Sequence, residues 1–260
     1  MGNRIAKKFR ELRDNNQKAL ITFLTAGDPD LDTSFRVVEE MIDKGIDILE
    51  IGIPFSDPLA EGPTIEKASY RALASNTSTD DVFYLVKRIR ENYDLPIILM
   101  LYVNLIYKYG IEKFMKKCSE VGVDGLIIPD LPFEEVEEVK DLAHNADLVI
   151  INLVAPTTKK IRLKKIVNES EGFIYCVSSL GVTGERKNIT TNLDDFYNNL
   201  RKETDLPLAL GFGLSNKKQI DGLAGTWDGF IVGSAIVNII AQYGKEAPTH
   251  VGNFIKSLKD

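Results

Sequence analysis

Three carboxylates stand in a stretch that, apart from one serine, is otherwise apolar side chains, glycine and proline. In EIGIPFSDPLAEGP, residues 50–63, the charged groups are Glu50, Asp57 and Glu61. Glu50 is the fifth residue of the apolar run 46–51. Leu49 and Ile51 point the other way along a strand of period two, so Glu50 shares the face of Ile48. A carboxylate on a buried face is costly unless it is paired or protonated. Burial also lifts its pKa toward neutrality, which suits a group that must both give and take a proton. The alternative is a structural Glu bonded to loop amides. In the loop that follows, Pro54, Pro58 and Pro63 fix φ at three places, and Gly62 permits a sharp turn. A loop that only connects needs no such stiffness; a loop that aims Asp57 and Glu61 does. Taken singly, both acids also fit turn formation, and Asp57 before Pro58 is a usual turn initiator.

A second kind of chemistry is written in glycine. LGFGLS (210–215) and IVGSA (231–235) each follow an apolar run, and the second enters a helical pattern. Exposed backbone N–H groups and a helix N-terminus attract anions, with glycine allowing close approach. The segment VSSLGVTGERK (177–187) offers Gly184 as a third side of such a cradle, and its small residues fit a mobile lid.

Eight short apolar runs position these groups: 19–25, 46–51, 96–102, 125–129, 148–154, 173–177, 206–210 and 229–232. Each is apolar almost throughout, as in a parallel strand covered on both faces. Amphipathic patterns at 32–44, 79–93, 111–121 and 134–144 read as helices between them, with Thr79, followed by Asp80 and Asp81, as an example of a cap. Alternating units of this number predict an α/β fold, a single (β/α)8 TIM barrel. An open doubly wound sheet is the competing reading, weakened because no GxGxxG follows the first run. No linker or charge block divides the chain, so residues 1–260 are expected to form one domain. Ile5, Phe9 and Leu12 predict an extra N-terminal helix capping the barrel floor.

Barrel chemistry sits at the C-terminal strand ends, with phosphate commonly held after strands 7 and 8. No lysine lies inside any run, which removes a Schiff-base aldolase. No acidic cluster at the strand ends is spaced for a divalent metal. The residues therefore point to proton transfer on a sugar-phosphate-like substrate, without metal or covalent intermediate. The 260-residue chain carries a net charge of −6 with both signs mixed, so no nucleic-acid face is expected. The N-terminus lacks the apolar core of a signal peptide, no run reaches the ~18 residues of a membrane span, and Gly2 is not followed by a myristoylation signal because Ala6 stands at its Ser/Thr position. Cys118 and Cys176 read as reduced packing thiols of a cytoplasmic protein, and His144 and His250 have no neighbouring cysteine that would suggest zinc.

The stretch from Glu50 to Ile65 closely resembles the signature of the tryptophan synthase α subunit family. Ordered matches extend over essentially the whole chain: FLTAGDP (23–29), LYVNL (101–105), GVDG (122–125), PDLP (129–132), APTT (155–158), GVTG (181–184), GFG (211–213) and VGSAIV (232–237). The resemblance implies a barrel that cleaves indole-3-glycerol phosphate to indole and glyceraldehyde 3-phosphate. It implies Glu50 as general acid/base and Glu61 as the second carboxylate, which meets the indole N–H. Phe23, Tyr102, Ile127, Tyr175 and Thr183 match positions around the substrate or closing the loops. Gly184, Phe212, Gly213, Gly233 and Ser234 match the phosphate side. Pro54, Asp57, Asn104 and Pro132 match the face toward a β subunit. The family assembles as an α2β2 heterotetramer, and the pyridoxal phosphate belongs to β, so no cofactor is expected here. One departure is sharp: the family normally carries Asp where this sequence has Glu61, one methylene longer. The same residues would also serve a free-standing lyase, and the longer Glu61 leaves open a chain with weak cleavage that mainly activates a partner.

Overall fold

The structure is a computed structural model that describes residues 3–178, 190–211, 213–223 and 225–259. Its strands are β1 (Ala19–Thr25), β2 (Ile48–Gly52), β3 (Ile97–Met100), β4 (Gly125–Ile127), β5 (Val149–Ile150), β6 (Leu153–Val154), β7 (Ile174–Val177), β8 (Leu208–Gly211) and β9 (Gly229–Val232). They pair in parallel in the order β5-β4-β3-β2-β1-β9-β8-β7-β6. The fifth predicted run is broken in two, with β5 on β4 and β6 on β7. Between the pieces, the Ile151 N–H donates to Leu126 O at 2.9 Å, and the Tyr175 N–H donates to Asn152 O at 3.0 Å. One continuous segment thus hands the ladder from one neighbour to the other, and the eight-run barrel closes.

The period-two alternation sorts side chains into two cores. Ile21, Ile48, Ile98, Ile127, Tyr175 and Ile231 point inward and pack together. Leu20, Leu49, Ile51, Leu99, Leu126 and Leu210 point outward into the layer beneath the helices. The first helices are α1 (Arg4–Asp14), α2 (Leu31–Asp43), α3 (Pro63–Ala74), α4 (Thr79–Arg90), α5 (Val103–Tyr109) and α6 (Ile111–Val121). After them come α7 (Glu137–Asn145), α8 (Lys160–Asn168), α9 (Thr190–Arg201), α10 (Lys217–Leu223), α11 (Ser234–Tyr243) and α12 (Ala247–Lys259).

The extra helix α1 closes the floor as its apolar stripe predicts. Ile5, Phe9 and Leu12 belong to the interior core, and the Phe9 and Phe173 ring centroids lie 5.4 Å apart. Gly125 makes room for this plug, since a Cβ there would lie 3.1 Å from Ile5 Cδ1 and 2.9 Å from Val149 O. The Asn3 side chain caps the helix by accepting from the Ile5 N–H at 2.9 Å, satisfying one of the donors left free at a helix start.

Two local readings are corrected. The cap of α4 is Ser78, not Thr79: its hydroxyl accepts from the Asp81 N–H at 3.3 Å, and the Asp81 carboxylate accepts from the Ser78 N–H at 2.8 Å. This reciprocal box outcompetes a cap one residue later. The helix predicted at 134–144 begins as a 3₁₀ turn at Phe133–Glu135, and α7 follows at Glu137.

Candidate active site

Glu50 sits in the middle of β2, in register with Phe23 on β1 and Ile98 on β3. It shares the inward face of Ile48, and it is 1% exposed. Neither carboxylate oxygen has a hydrogen-bond partner among the described residues. Burial in this apolar wall pushes the group up from 4.5 to about 8, because desolvation disfavours the charged form. At neutral pH Glu50 is therefore a neutral acid with a proton to give. Tyr175 lies on the same inner face, and burial, together with the Glu50 charge, holds its hydroxyl well above its ordinary value.

Two aromatic rings fill the barrel mouth at the cost of three side chains. A Cβ on Gly52 would lie 2.7 Å from the Phe23 ring, and one on Gly211 would lie 2.6 Å from the Tyr175 ring. A Cβ on Gly233 would meet Phe23 at 3.2 Å. Two glycines read from the sequence as phosphate-approach residues, Gly211 and Gly233, thus also make room for rings, and Gly52 does the same without having been singled out.

The stiff loop after β2 carries Glu61 back over the mouth. The Ala60 N–H donates to the Tyr102 hydroxyl at 2.9 Å, and the Tyr102 ring stacks on Phe55 with centroids 5.0 Å apart. Tyr102 is itself buried at the end of β3. Burial lifts its hydroxyl to about 12, with the Glu61 charge adding to the effect. Glu61 is half-buried, and one of its oxygens is enclosed without a partner. Burial raises it from 4.5 to about 7. The bond that tethers Ala60 leaves no signal in the sequence, because its partner arrives from the next strand. Ile127 ends β4 inside the barrel.

On the opposite side, Gly213 follows β8 with φ +76, and no atom of the described residues lies within 4 Å of where a Cβ would stand. Gly233 is the cap of α11, and Ser234, exposed, is its first residue. The first amides of that helix have no intrahelical acceptor and carry the positive end of its dipole. Thr183, Gly184 and Phe212 lie outside the described residues. Asp57 and Pro132 are exposed on the loops after β2 and β4, and Asn104 is exposed in the first turn of α5, just after β3; the three strands are neighbours in the barrel. Asp57 accepts from the Ser56 hydroxyl at 2.6 Å. Pro54, by contrast, is buried beneath that surface.

The arrangement is a buried neutral acid, a second perturbed carboxyl and a helix N-terminus around one barrel mouth. Comparison with known proteins fits it. The family model described as "Tryptophan synthase alpha chain" matches residues 9–259. A tryptophan synthase alpha chain of Caldanaerobacter subterraneus is 48% identical over 260 residues, covering 99% of each protein. One of Alkaliphilus metalliredigens is 46% identical, covering 99% of this chain and 97% of the relative. The crystal structure of the tryptophan synthase alpha subunit of Legionella pneumophila superposes with a TM-score of 0.92 at 35% identity, covering 100% of this chain and 98% of that one. A chain from the tryptophan synthase α2β2 complex of Pyrococcus furiosus gives a TM-score of 0.88 at 36% identity, covering 93% and 97%. With its barrel, its mouth and its sequence in agreement over nearly the whole length, the chain belongs to the tryptophan synthase alpha chain family.

Proposed function

We propose that Glu50 and Glu61 are the working pair of the chain's lyase reaction, the cleavage of indole-3-glycerol phosphate to indole and glyceraldehyde 3-phosphate in tryptophan biosynthesis. The observation that carries this reading is Glu50: a carboxyl group without a partner inside an apolar barrel, held protonated at neutral pH. It gives its proton to indole C3, which leaves the ring a cation with its charge on the nitrogen. As a carboxylate it then takes the proton of the adjacent side-chain hydroxyl. The oxygen becomes the aldehyde carbonyl, the C–C bond breaks, and its electron pair returns to the ring to give neutral indole. Glu61 accepts from the indole N–H and stabilises the positive charge while it exists. Phe23, Tyr175 and Ile127 shape the apolar slot for the ring. Gly213, Gly233 and Ser234 hold the phosphate through backbone N–H groups.

The indole ring itself accepts the electrons of the broken bond, so this step needs no cofactor; pyridoxal phosphate belongs to a β subunit. A β subunit is the partner proposed for the exposed rim of Asp57, Asn104 and Pro132, in an α2β2 assembly. Support comes from the likeness to a chain of the Pyrococcus furiosus complex and from Leu59, 92% exposed on the same loop as Asp57. Among the described residues no helix is long and apolar enough to cross a membrane, which accords with a cytoplasmic biosynthetic role.

Indole release by purified Glu50→Gln protein tests the reading. The variant keeps its fold by circular dichroism and loses about 100- to 10,000-fold in turnover, the usual worth of a positioned proton donor. Turnover at the wild-type rate by the folded variant overturns the assignment. Adding a β subunit to the wild type raises its turnover; no response removes the partner.

A further inference from the structure

The loop after β1 and helix α3 are fastened by a pair that the reaction does not touch. Asp28 is 1% exposed. Its two carboxylate oxygens accept from Nε and Nη2 of Arg71, each at 2.7 Å. The Ser75 hydroxyl, just past the end of α3, reaches the carbonyl of Gly27 at 3.1 Å. The Gly27 N–H in turn donates to the Ser34 hydroxyl at 3.0 Å. There is no slack in this junction: Gly27 has φ +81, and a Cβ there would lie 2.6 Å from the Thr77 Cβ.

What the junction holds is the helix that starts at Pro63, two residues after Glu61. Arg71 is eight residues further on, about 12 Å along a stiff rod. Across the same helix, Ile65 and Ala68 pack with Phe23 of β1 and Val237 of α11. Upstream of Glu61 the chain is tethered at Ala60 by Tyr102; downstream its next firm point is α3. We propose that Asp28 and Arg71 are a positioning pair for the cleavage: by holding α3 at one place along β1, they set where the Glu61 carboxyl group lies in the barrel mouth. The inference rests on the reading of Glu61 as the second carboxylate.

A bidentate guanidinium–carboxylate pair fixes orientation as well as separation, and a lysine cannot reproduce it. Catalytic groups tolerate little displacement, and about 1 Å costs on the order of 100-fold. The longer side chain at position 61 makes the setting of its backbone more consequential, since the carboxyl group is carried further from it.

The test is a double-mutant cycle of Arg71→Lys with Glu61→Gln, read as kcat and KM for indole-3-glycerol phosphate. Arg71→Lys lowers kcat about tenfold or more when Glu61 is present. It changes KM less than about threefold, because the phosphate is held elsewhere. In the Glu61→Gln background the same substitution costs less than about twofold, since no carboxylate is left to misplace. An equal loss in both backgrounds means that the pair acts on the fold at large and overturns the proposal. So does an unchanged kcat with Glu61 in place. If Glu61→Gln alone leaves kcat unchanged, it is the reading of Glu61 that fails, and the positioning role falls with it. Should Arg71→Lys not yield folded protein, Ser75→Ala enters the same cycle. It loses about two- to fivefold only with Glu61 present, and a loss independent of Glu61, or no loss, again overturns the proposal.

Discussion

Replacing Glu50 by Gln changes how stability depends on pH, and the size of the change follows from the burial of one group. In the fold the Glu50 carboxyl keeps its proton up to about pH 8; in the unfolded chain it releases it near the ordinary value of 4.5. Between those values the folded state binds one more proton than the unfolded state. Stability from this group is therefore full below about pH 4.5 and is lost as the pH rises toward 8. The loss runs at up to about 1.4 kcal/mol per pH unit, or about 2–3 kcal/mol between pH 5 and pH 7, where the unfolded group is already mostly ionised. Glutamine has the same shape and no proton to lose, so its own cost of burial is constant across the window. Glu61 titrates in both proteins and cancels from the difference. The assay is reversible urea denaturation of wild type and Glu50→Gln at pH 5, 6 and 7, read on the transition that loses the barrel sheet. The variant gains on the wild type as the pH rises, by about 2–3 kcal/mol over the range. Two stability curves that stay parallel within about 0.5 kcal/mol would refute the burial argument. They would also remove the reason for treating Glu50 as a neutral acid at rest.

Two further perturbations probe the mouth. Gly211→Ala places a methyl group 2.6 Å from the Tyr175 ring; overpacking of this kind costs about 1–3 kcal/mol, and turnover falls as the ring is driven across the slot, so unchanged melting and kinetics would show that Tyr175 has room to move. Glu61→Asp restores the residue the family carries and is expected to leave kcat unchanged or to raise it, measured by indole release; a loss of about tenfold or more would show that the loop has been re-set around the longer side chain.

The barrel was legible because its strands are nearly all apolar, and their alternation with amphipathic helices admits few architectures. β1 and β9 coincide with their apolar runs: β1 starts just after Lys18 and ends on Thr25, and β9 lies between Asp228 and Gly233. The fifth strand did not coincide. Its apolar run is continuous, whereas the break at Asn152 reflects a change of hydrogen-bonding neighbour that composition does not encode. Helix α3 was passed over for another reason. Its buried residues are the small Ala68, Ser69 and Ala72, which leave a faint apolar stripe, and its start is set by Pro63 as first residue. Glu50 stood out because a charge deep in an apolar run, on the same face as Ile48, has few structural uses. The Ala60–Tyr102 bond and the Asp28–Arg71 pair did not, because each joins residues more than forty positions apart. Glycines at strand ends gave an ambiguous signal, for the same missing Cβ admits a phosphate or a ring, and at Gly211 and Gly233 it makes room for Tyr175 and Phe23 whether or not a phosphate also approaches.

The two carboxyl groups are the same chemical species, and their surroundings are what would give them the different work proposed for them. Glu50 is enclosed in the barrel wall and is lifted to about 8; Glu61, on the loop above and half-open to solvent, is lifted to about 7. Near neutrality Glu50 holds its proton more firmly than Glu61, so on the proposed reading the pair offers an acid and a group that ionises more readily to one substrate. That order is the one cleavage needs: a proton must reach C3 before the bond can break, and the cation so formed must meet an anion. Paired environments that push like groups apart in this way are a common means of assigning acid and stabiliser in one site. A substrate in the slot also supplies what the unliganded mouth lacks. Its hydroxyl can hydrogen-bond the Glu50 carboxyl, and its indole N–H can meet the enclosed Glu61 oxygen. The polar atoms left without partners in the protein are thus those that the proposed substrate would satisfy, and part of the cost of burying them is recovered on binding.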